Sequence, residues 1–133
     1  MSEQLAGEGY QTLAVDLYKG RMADNPDKAK ELMTEAMSAP DEAKANLRSA
    51  YATLKKNGAA KIAVLGWCFG GAWSLQTALL FPDKLAATVI FYGRLEQDKA
   101  KLGTLEMPIL GIFGGQDAGI PVAGVQQFEK TLK

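Results

Sequence analysis

Apolar positions recur along this chain in two rhythms, one of short continuous runs and one of helical spacing, and the rhythm changes repeatedly. Thr12 to Tyr18 (TLAVDLY) is a β-favouring run after Gly9 that ends in polar, Gly-containing sequence, which predicts a first strand opening into a loop. Asn25-Pro26 offers a cap followed by proline at the first helical position, and Ala29, Leu32, Met33, Ala36 and Met37 recur at helical spacing. Ser38 with Asp41 forms a capping-box start for a second helix, whose apolar face is Ala43, Leu47, Ala50, Tyr51 and Leu54 and whose stop is Asn57-Gly58. Lys61 to Gly66 (KIAVLG) is nearly continuously apolar, as expected for a parallel strand covered on both faces. Phe69 to Phe81 is apolar almost all round and predicts a deeply packed helix ended by Pro82-Asp83. Ala86 to Tyr92 and Pro108 to Phe113 read as two further strands, joined by a polar connection carrying Arg94 to Lys101. Pro121 opens a final helix with Val122, Val125, Phe128 and Leu132 along one side. Strands that alternate with helices imply crossover units. The expectation is an α/β layer structure over residues 1 to 133, one domain, with a mostly parallel sheet of about four strands and helices on its faces.

Composition narrows the function classes. Fifteen basic and fifteen acidic residues cancel, and the pairs Lys19 with Arg21 and Lys55 with Lys56 are too sparse for a phosphate-tracking stripe, so no nucleic-acid partner is expected. The start lacks the basic and apolar regions of a secretory signal, and no apolar run approaches a membrane span. One cysteine excludes an intrachain disulfide, which makes a cytoplasmic setting the default. With that single thiol and no histidine, a zinc site of the usual N/S kind cannot be built from one chain.

The candidate chemistry lies in Val64-Leu65-Gly66-Trp67-Cys68-Phe69-Gly70-Gly71, a strand turning into a helix with a thiol at the turn. In a G-x-S-x-G nucleophile elbow the residues two before and two after the nucleophile must lack a Cβ, and Gly66 and Gly70 hold those places around Cys68. A helix N-terminus favours a thiolate through its N–H groups and dipole, and the backbone N–H of Phe69 is the matching donor for an oxyanion. A lone cysteine is more often a small buried hydrophobe, but the flanking glycines between strand and helix favour the elbow.

Gly114-Gly115-Gln116-Asp117 follows the last strand, so Asp117 is a candidate triad acid at the carboxyl edge of the sheet, against the alternative of an ordinary turn residue. Arg21 lies just beyond the first predicted strand and is a candidate reader of a substrate carboxylate, against the alternative of solvated surface. Trp67 and Phe69 flank the thiol and are expected either to shape an apolar pocket or to join the core.

On these residues the chain resembles the dienelactone hydrolase family of α/β hydrolases. The matching segments are Gly9-Tyr10 with Val15-Asp16-Leu17-Tyr18, Gly66-Trp67-Cys68-Phe69-Gly70-Gly71, Phe91-Tyr92-Gly93, and Gly114-Gly115-Gln116-Asp117 with Ile120-Pro121. The resemblance implies a Cys-His-Asp triad that opens an unsaturated lactone ring without metal or organic cofactor. It makes Cys68 the nucleophile, Asp117 the triad acid and Arg21 a reader of the substrate carboxylate.

Two departures change the expectation. The family's histidine comes after the helix that here ends at Lys133, and its early strands, one of which leads to the second oxyanion donor, precede Gly9-Tyr10. The chain is therefore expected to be a truncated α/β-hydrolase-like structure and an impaired hydrolase of small esters or lactones. The alternative is a catalytically silent fold remnant or assembly module. The strand missing between Thr12 to Tyr18 and Lys61 to Gly66 leaves an open sheet edge. Either those two strands pair directly, or two chains associate along that edge as a homo-oligomer.

Overall fold

Asn25 turns the chain into its first long helix by accepting the backbone N–H of Lys28 on its side-chain oxygen at 2.8 Å, with Pro26 next at the first helical position. In the computed structural model, which describes all 133 residues, two compact units form, Met1–Ala60 and Lys61–Lys133. The first unit holds α1 (Ser2–Gly7), α2 (Pro26–Ser38) and α3 (Pro40–Lys56). Leu32 of α2 and Ala43 and Leu47 of α3 are the buried positions of the two long helices, on the faces that the sequence spacing marks. Asp41 and Glu42 in the first turn of α3 and Lys55 and Lys56 in its last turn complement the helix dipole.

Three sequence expectations change in this unit. The Ser38–Asp41 capping box is not made: the Ser38 hydroxyl donates to the carbonyl of Thr34 at 2.8 Å, and α3 starts at Pro40 behind the uncapped Ala39. Proline wins because its fixed φ suits the first helical position and its missing N–H needs no cap. Thr12 to Tyr18 is not a strand. Its far end is taken by Asp16, whose carboxylate accepts the N–H groups of Tyr18 at 2.7 Å and of Gly20, while Asn46 donates to its carbonyl. β-propensity expresses itself only against neighbouring strands, and here local side-chain bonds to the backbone prevail. The short helix α1, which buries no residue, has no apolar periodicity and was not foreseen.

The second unit alternates strand and helix throughout. Its elements are β1 (Ala63–Trp67), α4 (Phe69–Leu80), β2 (Ala87–Phe91), α5 (Lys99–Leu102), β3 (Ile109–Ile112) and α6 (Val122–Leu132). The strands form a parallel sheet in the order β1-β2-β3, with Gly66 beside Ile90 and Ile90 beside Gly111. The sheet therefore has three strands, one fewer than expected, because Thr12 to Tyr18 does not join it. It also leaves the expected direct pairing between that segment and β1 unmade.

Helices α4, α5 and α6 converge on one face of the sheet. There Leu75, Ile90, Leu102 and Phe128 form the core, with Ile109, Phe113 and Leu132 packed against it. α5 lies in the stretch read as a polar connection; Asp98 caps it by accepting the N–H groups of Ala100 and Lys101, and its Leu102 supplies the core residue.

Candidate active site

The strand-to-helix turn forms as its glycines require, with one exchange of roles. β1 ends at Trp67, Cys68 takes φ 52 and ψ −113, and α4 begins at Phe69. Cys68 is exposed, and its N–H donates to the carbonyl of Phe91 on β2 at 2.9 Å, tying the turn to the neighbouring strand. A Cβ on Gly66 would lie 2.2 Å from the Gly70 carbonyl oxygen, so Gly66 is required. A Cβ on Gly70 would meet nothing, so the second required glycine is Gly71: its Cβ would lie 2.7 Å from the Phe91 carbonyl oxygen. Gly93, just past β2, completes the arrangement, because its Cβ would lie 2.3 Å from the carbonyl carbon of Gly71. The first turn of α4 thus crosses the end of β2 backbone against backbone. The doublet Gly70-Gly71 and the Tyr92-Gly93 pair were the signals for this crossing, but spacing alone assigned the steric role to Gly70.

Tyr92, read from sequence only as the end of a strand and part of a matching segment, has a particular backbone. It follows β2 with φ 38, and its N–H donates to the Ile112 carbonyl at 2.7 Å. By register it stands next to Cys68 on the adjoining strand, so two residues with left-handed backbone sit together at the carboxyl edge.

The flanking aromatics part company. Trp67 stacks on Phe91 with ring centroids 4.9 Å apart, on the sheet face away from the helices, and Phe69 meets Trp73 edge-on at 6.3 Å within α4.

Asp117 lies beyond β3 at the same carboxyl edge. Its Oδ1 accepts the N–H groups of Gly119 at 2.8 Å and Ile120 at 3.1 Å, so part of its carboxylate already holds its own loop. β2 lies between β1 and β3, so Cys68 and Asp117 follow strands that are not neighbours in the sheet. The structure places both residues on one edge without joining them.

Arg21 belongs to the first unit, where its guanidinium is engaged. It pairs with the Glu35 carboxylate and donates from Nε to the Tyr18 carbonyl at 3.2 Å. The hydrogen bond from the Arg21 guanidinium to Glu35 leads in holding that carboxylate below its ordinary range. The two residues line a groove of about 590 Å³ together with Asp16, Lys19, Glu42 and Asn46, in which Lys19 is paired with Glu42. Any anion read by Arg21 must compete with Glu35.

Near the other end of the β2–α5 connection, Glu96 accepts Lys101 Nζ at 2.9 Å and the N–H groups of Gln97 at 2.9 Å and Asp98 at 3.1 Å. The Lys101 bond leads, with the backbone donors behind it, in lowering the Glu96 pKa from 4.5 to about 2. A depressed folded-state pKa contributes stability that is full above the unfolded value and is lost as pH falls toward the folded one. Acid titration of urea stability is therefore expected to show a loss between about pH 4.5 and 2, and Lys101→Met is expected to shallow it.

No group of three or more His, Cys, Asp or Glu side chains is arranged to hold a metal ion, and no helix is long and apolar enough to cross a membrane.

Parallel strands with α4 springing from a thiol-bearing elbow define an α/β-hydrolase-like layer structure. Sequence comparison makes the assignment specific: the model of the dienelactone hydrolase family matches residues 1–133, and the chain belongs to that family. Relatives include Protein usf of Aquifex pyrophilus, 34% identical over 119 residues that are 86% of this chain and 52% of that protein. The "Putative carboxymethylenebutenolidase" of Aquifex aeolicus is 31% identical over 98% of this chain and 58% of that protein. The "Carboxymethylenebutenolidase homolog" of Xenopus tropicalis is 29% identical over 100% of this chain and 54% of that protein. The chain thus spans a little over half the length of these curated relatives.

Proposed function

We propose that these 133 residues carry the nucleophile of a hydrolase acting on small esters or lactones, with Cys68 attacking the acyl carbon. The observation that carries this reading is the exposed thiol on a left-handed backbone at the head of α4. Such a turn presents Sγ to solvent at a helix N-terminus, the placement a nucleophile needs. Cys68 gives its thiol proton to solvent and the Sγ–C bond forms as the carbonyl π bond opens to an oxyanion; collapse of that tetrahedral intermediate breaks the C–O bond to the leaving group, and the departing alkoxide takes a proton from water. The Phe69 N–H is the donor toward the oxyanion of the tetrahedral intermediate, and Asp117 is the acid that would orient an imidazole.

These 133 residues include no histidine, so within them no imidazole activates the thiol or the water that must hydrolyse the thioester. Acylation is then expected to outrun deacylation. A single turnover with p-nitrophenyl acetate is the test: about one equivalent of nitrophenolate per chain should appear in a burst, followed by a slow steady state, as expected for an accumulating acyl-enzyme. Intact mass should show one acetyl group, and Cys68→Ala should show neither burst nor adduct. Absence of the burst from the unaltered chain would sink the proposal. It would favour a catalytically silent fold remnant, a reading that the commitment of Asp117 Oδ1 to its own loop supports.

The reading extends to assembly and setting. β1 is a terminal strand of the sheet, and pairing of a second chain along its outer edge would give a homo-oligomer. A lone free thiol suits a reducing, cytoplasmic compartment.

A further inference from the structure

The chain leaves β2 under tight constraint and turns over the head of α4. Tyr92, at φ 38, makes the turn, and its N–H donates to the Ile112 carbonyl. Gly93 follows in backbone contact with the first turn of α4: a Cβ on it would lie 2.3 Å from the carbonyl carbon of Gly71 and 2.4 Å from the nitrogen of Ala72. Leu95 packs against the core of Leu75, Ile90, Leu102 and Phe128. Arg94 is thus fixed on both sides, between a residue pressed onto the helix that begins beside Cys68 and a residue anchored in the core, while it is itself exposed. It follows β2 at the carboxyl edge of the sheet, the edge that carries Cys68 and Asp117.

The guanidinium is uncommitted. Arg94 is the one arginine of Lys61–Lys133, and it makes no ion pair and no side-chain hydrogen bond. The carboxylates of that unit are engaged or lie elsewhere. Glu96, two residues on, holds Lys101 and the N–H groups of Gln97 and Asp98. Asp98 caps α5, Glu129 pairs with Lys133, and Asp117 Oδ1 holds its own loop. Asp83 and Glu106 precede β2 and β3 and so belong to the opposite, amino edge. An arginine with a fixed backbone and a free fork of donors suits a planar anion, whose two oxygens it can take together.

We infer that Arg94, and not Arg21, reads a negative charge on the acyl substrate, so that the thiol acts on esters or lactones bearing a carboxylate close to the reacting carbonyl. Arg94 has this role only if Cys68 is the reacting group, as proposed above. Arg21 would have to leave Glu35 and the Tyr18 carbonyl to bind an anion, whereas Arg94 gives up only water.

Two alkylating reagents of nearly equal size, iodoacetate and iodoacetamide, test this without ester chemistry. Each forms a thioether as Sγ displaces iodide, and Cys68 is the sole cysteine of the chain, so intact mass follows one site. Both react with the same thiolate, so the ratio of their rate constants cancels its population and reports the charge beside it. At low ionic strength, Arg94→Met is expected to lower the iodoacetate-to-iodoacetamide ratio at least about threefold, the scale of one unit charge acting across several ångströms of water. Salt at about 0.5 M should erase most of that difference. Arg94→Lys should fall between the parent and Arg94→Met, and Lys84→Met, which lies ahead of β2 at the amino edge, should leave the ratio unchanged. Arg94→Gln takes the place of Arg94→Met if far-UV circular dichroism shows that the latter misfolds. An unchanged ratio in the Arg94 variants overturns the inference, as does a fall in Arg21→Met that Arg94→Met does not share. The nitrophenolate burst separates the two proposals: a missing burst beside an Arg94-dependent ratio strikes the ester reading alone, and a normal burst beside a flat ratio strikes only the anion reader.

Discussion

Gly66→Ala is expected to destabilise the second unit by about 3 kcal/mol or more, at the upper end of overpacking effects. The added methyl would meet the carbonyl oxygen and carbon of Gly70 at 2.2 and 2.4 Å and Ser74 Oγ at 2.9 Å. Backbone atoms cannot swing aside as a long side chain can, so relief requires α4 to lift away from β1. Gly70→Ala is the control. It stands in the same motif, but its Cβ meets nothing within 4 Å, and alanine in a helix is favoured over glycine by about 1 kcal/mol. Urea unfolding should therefore leave Gly70→Ala within about 1 kcal/mol of the parent, on either side. Equal losses in the two variants would mean that the elbow is not built by the contacts described.

Ile90→Ala is expected to lower stability by about 2–5 kcal/mol, the usual range for deleting most of a fully enclosed aliphatic side chain. Ile90 is 0% exposed at the centre of the middle strand, against Leu75, Leu102 and Phe128. Filling the resulting cavity would demand movement of helices already packed on both neighbours, so relaxation is limited. Leu110→Ala removes a side chain of similar size from the other face, where 56% of the residue is still exposed, and should cost less than about 1.5 kcal/mol. The pair is to be compared by urea unfolding in dilute protein, where association does not contribute. A Leu110→Ala loss as large as that of Ile90→Ala would contradict the assignment of buried and open faces.

The elements that could be read from sequence are those whose signal is local. Asn25-Pro26 specifies a helix start through one side-chain oxygen and one fixed φ, and the structure uses both. The runs ending in Gly66, Tyr92 and Phe113 became β1, β2 and β3 with shifts of a residue or two, because apolar β-branched runs bounded by turns have few other outcomes. Thr12 to Tyr18 looked equally strand-like, yet a strand exists only if another strand presents its N–H and C=O groups alongside. That condition is not written in seven residues. The thiol at the elbow was legible because the glycines around it leave so few backbone solutions. The partners of Asp117 and Arg21 were not legible, since a carboxylate bonds to whichever N–H its loop brings near, and Glu35 is fourteen residues from Arg21.

By itself, then, the sequence determined the alternation of strands and helices in residues 61 to 133, the position of Cys68 at a strand-to-helix turn, and that these 133 residues include no histidine. These depend on residue identity and on spacing over a turn or two. Tertiary structure alone decided that Gly71 and Gly93, rather than Gly70, bring α4 against β2. It also decided that the sheet stops at three strands and that α4, α5 and α6 gather over the face bearing Ile90. The physical reason is common to these cases: steric fit and burial are relations between segments far apart in the chain, and no single segment contains them.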